Sequence, residues 1–231
     1  MSVFVDAFRF MGDNLSLLWT KTIEHLELSG AAIAVAVVIA VPLGLWLGHR
    51  HRGSFAAINV GNIGRALPSL VILAIGDAFL GLGLTVVELA LVILAVPPIV
   101  TNAYLGVDGV DRDVVDAARG MGMSAWQTIT RVELPLAAPL LFVGIRTAAL
   151  FVVSTTTIAA LAGFSGSLGD VIANETSYHF SGVLGAAICV AALALLVDAA
   201  LLGVQRLLTP RGLRLQQRAR AGAGQLDAAA A

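Results

Sequence analysis

The sequence predicts an all-α membrane protein, a bundle of about five transmembrane helices. Three observations carry that prediction. Hydrophobic residues make up 58% of the 231 residues and charged residues only 13%, about half the ~25% usual in soluble domains. Mean hydropathy is +0.90. Five runs approach the roughly 20 apolar residues that a helix needs to cross hydrocarbon, and the charges concentrate in one segment between the third and fourth runs.

Residues 1–28 mix charged and apolar residues and read as an amphipathic lead-in. They lack the basic tip and compact apolar run of a cleavable signal. Trp19 with Lys21 reads as an interfacial anchor or, equally, as an ordinary exposed pair. The transmembrane domain, 29–208, holds runs at 29–48, 55–75, 83–103, 137–158 and 183–205. Pro42, Pro68, Pro97 and Pro98 lie inside or near the ends of these runs. Bundles tolerate such breaks because neighbouring helices re-satisfy the freed backbone groups. Cys189, inside GAAICVAALALL, reads as a small apolar packing residue. Residues 209–231 form a basic tail of low complexity that reads as disordered.

Basic residues set the expected orientation. With the N-terminus outside, the inner segments 49–54, 104–136 and 206–231 hold ten of the fourteen Lys and Arg residues. The outer segments then hold only Arg9 and Lys21. The positive-inside rule favours N-out, C-in and puts the charged segment in the cytoplasm. A net charge of -1 offers no basic face for nucleic acid.

That segment, 113–136, begins with a short helix, DVVDAAR, which places Val114, Val115 and Ala118 on one side. Gly120 and Gly122 break it. Ser124 with Gln127 three residues later makes a capping box, so a second helix starts there and carries Trp126, Ile129 and Thr130 on one side. Pro135 forces that helix to end or bend. An ordinary connecting loop with two helical turns fits these residues as well.

The segment resembles the "EAA" signature of ABC importer permeases: Glu-Ala-Ala, three residues, Gly, nine residues, Ile, one residue, Leu-Pro. Here it reads Asp116-Ala117-Ala118, three residues, Gly122, nine residues, Val132, Glu133, Leu134-Pro135. The resemblance implies a type I importer-like permease. Its coupling helix, with Asp116, Ala117, Ala118, Gly122, Trp126, Leu134 and Pro135, would dock on a separate ATPase subunit. Further runs resemble the glycine betaine, carnitine, choline and proline branch: GRALPSLVILAIG, PPIVTNAYLGV, and GIRTA followed by TTTIAALAGFSGSLGDVI. Arg65 stands where that branch usually has Gln, and Thr101 where it has Arg. Methionine and other amino-acid permeases share the coupling segment and are the alternative within the family. The resemblance also implies an extracytoplasmic solute-binding protein and a second permease chain. ATP and Mg²⁺ would sit on the ATPase, with no cofactor in this chain.

Inside the bundle, Arg146 and Asp198 lie at similar depths, ~13 and ~10 Å from the inner helix ends. A charge at the bilayer centre costs roughly 2.5–3.5 kcal/mol, so each demands a partner, and the two are expected to pair. Asn62 and Arg65 make the second run the most polar, and Pro68-Ser69 follows. These four, with Asn102 and Thr156, are the expected lining of a translocation path. Gly163, Gly166 and Gly169 mark the expected outer gate, with a flexible linker as the alternative. His25, His49, His51 and His179 show no metal-ligand spacing and read as exposed loop residues. The only lysine is Lys21, so no phosphate-binding GxxxxGK[ST] loop exists and the chain is not itself the ATPase. Two tyrosines and three tryptophans offer little for an aromatic cage around a quaternary ammonium, so tight capture falls to a separate protein. An ATPase-independent channel or secondary transporter would instead need an internal ion site or inverted repeats.

Overall fold

The computed structural model describes residues 2–51, 55, 59, 61, 62, 64, 68–81, 83–163 and 165–209. Arg65, most of the expected second run before Pro68 and the tail from residue 210 lie outside the described residues. The described residues form helices and short turns, with no strand among them.

Helix α1 (Ser2–Asp13) ends at Asn14, whose side-chain amide donates to the Phe10 carbonyl at 3.0 Å. It packs on the last described helix, Glu175–Leu208. Ala7 is fully buried, the Phe10 ring meets Tyr178 edge-on at 6.2 Å, and Gly182 and Gly185 make room for Phe10 and Met11. Phe4 and Phe8 stay exposed.

Helix α2 (Leu15–His49) starts well before the expected residue 29. The lead-in's second half and the first run are one helix of 35 residues, ~52 Å at helical rise, which outreaches a hydrocarbon core of about 30 Å. Helix α3 (Ser69–Leu80) is capped by Pro68 in an extended conformation and, at 12 residues, is too short to span. Then come α4 (Leu84–Asp108), α5 (Arg112–Gly120), α6 (Ala125–Thr128), a π-helical turn (Ile129–Glu133) and α7 (Leu134–Thr156). A 3-10 turn (Thr157–Ala162), α8 (Gly169–Ala173) and α9 (Glu175–Leu208) follow, the last of the described elements. Inside α9, His179 adopts φ 56, ψ 173, which breaks the helix, so its membrane-crossing part starts close to the expected residue 183. Among the described residues, four segments are long and apolar enough to cross a membrane: α2, α4, Ala125–Leu161 and α9.

Helices α2, α4 and α7 run unbroken through Pro42, Pro97-Pro98 and Pro139. Pro135 acts differently. In a regular helix its ring would press on the carbonyl of Arg131 four residues back. The chain widens there into the π-turn, and Pro135 falls in the first turn of α7, where it is accommodated. The expected end or bend is a one-turn bulge.

Helix α4 lies at the centre, flanked by α2 and α7. Small residues bring the backbones together. A Cβ on Gly48 would stand 2.7 Å from Val107 Cβ, and one on Gly144 2.7 Å from the Pro98 carbonyl oxygen. Lipid is as apolar as leucine, so such close packing is what holds helices together there. Ala32, Ala36 and Ala40 of α2 continue the seam into the main apolar cluster. Helix α9 is the least enclosed span and leans on α7. The bundle therefore has two distinct ends, one carrying residues 113–136 and the other the glycine loop at 163–170.

Candidate functional site

The 113–136 segment folds as two short helices joined by a tight turn. Asp111 caps α5 by accepting from the Asp113 amide at 3.0 Å. Val115 and Ala118 are buried, whereas Val114, grouped with them from the sequence, is exposed. Asp116 faces solvent and lies 3.8 Å from Arg119, a weak surface pair. Gly122 takes φ +83, a conformation that costs a residue with a Cβ, and reverses the chain. Ser124 and Gln127 close the capping box: the Ser124 amide donates to Gln127 Oε1 at 2.8 Å, and the Gln127 amide to Ser124 Oγ at 3.3 Å. Ile129 turns inward, but Trp126 does not share its face and is 72% exposed. Met121 and Val114 of the same segment are exposed as well, so this short stretch leaves three large apolar side chains uncovered. Leu134 and Pro135 are half-buried where α7 begins.

Two histidine–carboxylate pairs anchor this end. His49 Nδ1 lies 2.8 Å from both oxygens of Glu133, and His51 Nδ1 lies 2.8 Å from Asp108 Oδ1. Glu133 is 1% exposed, on the π-turn. His49 is therefore not an exposed loop residue, and neither is His25, which is fully buried and donates from Nε2 to the Val153 carbonyl at 2.9 Å. Sequence reading missed the Glu133 pair. Its signal was a lone acid within an apolar helical run. Arg50 stacks on Trp46 at 4.6 Å, as expected of a basic residue at a membrane boundary.

Midway along the bundle, Arg146 and Asp198 meet in a two-pronged ion pair between α7 and α9. Nε reaches Oδ1 and a terminal nitrogen reaches Oδ2, each at 2.8 Å. Of the expected path residues, Asn62 and Pro68 are exposed and Ser69 is half-buried. Asn102 donates to the Pro98 carbonyl of its own helix at 2.8 Å. Thr156 is fully buried: its hydroxyl donates to the Val152 carbonyl at 2.8 Å and lies 3.0 Å from Ser29 Oγ. It joins α2 to α7, and in this conformation it packs rather than lines open space.

At the other end the glycine loop is tied down. Ser167 Oγ donates to the Thr156 carbonyl and accepts from the Gly169 amide at 3.1 Å. A Cβ on Gly169 would collide with the Thr157 carbonyl oxygen, and Gly163 takes φ +73. Lys21 spans the loop, reaching Asp170 at 2.9 Å, Glu24 at 3.0 Å and the Ser165 carbonyl at 3.1 Å. It is a clasp on the loop rather than a free interfacial anchor, while Trp19 beside it stays exposed. Glu24, Glu27 and Glu88 line one cleft of about 450 Å³ with Gly166 beside them. Three carboxylates in one cleft raise the local concentration of cations. Among the described residues, no three His, Cys, Asp or Glu side chains are placed so that they could hold one metal ion.

The family model for "Binding-protein-dependent transport system inner membrane component" matches residues 40–212. The chain is 37% identical over 206 residues to the glycine betaine/carnitine/choline transport system permease protein OpuCB of Bacillus subtilis (strain 168), covering 89% of this chain and 94% of that one. It is 38% identical over 215 residues to the carnitine transport permease protein OpuCB of Listeria monocytogenes, covering 93% and 97%. Among solved structures, the fold superposes on an inward-facing MetNI methionine ABC transporter with TM-score 0.72, covering 86% of this chain and 99% of that one. Sequence identity there is 21%, so this match speaks for the fold.

Proposed function

The chain belongs to the family of binding-protein-dependent transport system inner membrane components, and we propose that it is the permease of an ATP-driven importer for a small osmolyte. The solute class is glycine betaine, carnitine, choline or proline. The observation that carries this reading is the near full-length match to permeases named for betaine, carnitine and choline transport, through the spans as well as the coupling segment. The methionine transporter shares the fold at much lower identity, which favours the osmolyte reading over an amino-acid one.

In the proposed cycle the chain sits N-out, C-in, with residues 113–136 facing the cytoplasm. The exposed side chains of Val114, Met121 and Trp126 meet a groove on an ATPase subunit. ATP binding closes the ATPase pair and pushes the segment, which opens the path toward a docked solute-binding protein. Hydrolysis resets it. The coupling requires only that the ATPase bind the two permease states with different affinity. Few helices per chain seldom enclose a path, so a second permease chain shares it. The acidic cleft beside the glycine loop then faces outward, where it attracts the positive end of such solutes.

Partner capture tests this reading. A C-terminal tag, gentle solubilisation and identification of what copurifies should yield an ATPase and an extracytoplasmic binding protein. That binding protein, titrated with the four solutes, names the cargo. A folded, stable preparation lacking any ATPase contradicts the reading.

A further inference from the structure

We propose that the His49–Glu133 pair is a strut that carries motion of the coupling segment into α2 and α4, an inference that rests on the importer reading above. Glu133 closes the π-turn between α6 and α7. A π-turn departs from the regular α-helical ladder and is a frequent companion of functional sites. A push on α5 and α6 would be absorbed there unless something bridges the turn.

Glu133 supplies the bridge. Ile129, Glu133 and Ala137 fall four residues apart, on one side of the helix, and all three are buried. Ile129 and Ala137 pack into an apolar cluster with Leu45 of α2 and Val107 of α4. An apolar side chain at 133 would fill such a place without desolvation cost. A carboxylate instead gives a directional contact, and His49 meets both its oxygens at the end of α2.

The receiving side is stiff. Gly44 and Gly48 hold α2 against α4: a Cβ on Gly44 would stand 2.9 Å from the Val100 carbonyl oxygen, and one on Gly48 3.0 Å from that of Tyr104. One residue beyond the end of α2 and the Arg50 cap, His51 bonds Asp108 at the end of α4. Force entering at His49 therefore reaches two helices that move together. His49 and Glu133 touch no solute; they are positioning residues.

The test uses the complete importer in proteoliposomes, reading solute moved per ATP hydrolysed. A wild-type complex that moves no solute with ATP sinks the importer reading before any variant is compared. With an active wild type, His49→Leu and Glu133→Leu should each keep the ATPase bound and hydrolysing. Each should cut the transport ratio about tenfold, the lower end for a lost hydrogen bond to a charged group. His49→Gln, which keeps a donor, should restore most of that ratio. An unchanged ratio in the leucine variants overturns the strut, as does an equal fall in the glutamine variant. If the leucine variants do not assemble, His49→Asn, too short to reach Glu133, is read by the same ratio. Loss of assembly in the asparagine and glutamine variants as well makes the pair a folding element and overturns the proposal.

Discussion

Arg146 and Asp198 meet side by side in the middle of two spans, where either charge alone costs roughly 2.5–3.5 kcal/mol. Asp198→Asn leaves a guanidinium facing an amide. Stability should fall by about 2–3 kcal/mol, the cost of one uncompensated charge at that depth. The readout is thermal unfolding in detergent, with recovery in the exchanged pair Arg146→Asp, Asp198→Arg. Unchanged unfolding of Asp198→Asn would mark the pair as inert. This contact was legible in the sequence, because a charge in hydrocarbon demands a partner and these two opposite charges lie at similar depths. The histidines were not legible. Absence of metal spacing says nothing about burial, and His25 and His49 sit on a helix whose length, 35 residues, the sequence understated. Lys21 was misread for a related reason: its partner Asp170 is 149 positions away, and no local pattern links them.

The 113–136 segment shows what local patterns do reveal. Ser124 and Gln127 announce their capping box, Gly122 its left-handed turn, and both are present. Ser124→Ala should cost the segment ~1 kcal/mol, the usual worth of such a cap, seen as faster hydrogen exchange over residues 124–128. No change in exchange would make the box ornamental. The π-turn was hidden, because whether Pro135 ends, bends or widens a helix depends on what surrounds it, here the packed ends of α2 and α4. The facing of Val114 and Trp126 was hidden too, since a helix of a turn or two has no reliable periodicity. Helix contacts are equally a matter of fit. Gly144→Leu should force α7 from α4 and destabilise the fold by about 1–3 kcal/mol, as overpacking does. Normal expression and unfolding temperature in that variant would contradict the close approach at Pro98.

For the whole molecule, composition and run lengths foretold the helical membrane fold, and the spaced coupling motif foretold its family. Helix ends and the order of packing were not foretold, because apolar residues line these helices on nearly every side and leave no face to read. Orientation has its own check. In a Cys189→Ala background, a cysteine placed at Ser2 should react with a membrane-impermeant maleimide on intact cells, and one placed at Ala229 only after permeabilisation. The reverse pattern would invert the bundle and move the coupling segment outside. The most direct measurement of the central claim is uptake into proteoliposomes holding this chain with its copurifying partners. Labelled glycine betaine, carnitine or choline should accumulate only when ATP and the binding protein are both present. Accumulation that persists without ATP, or that needs no ATPase subunit, would contradict the account and make this chain a channel or secondary transporter.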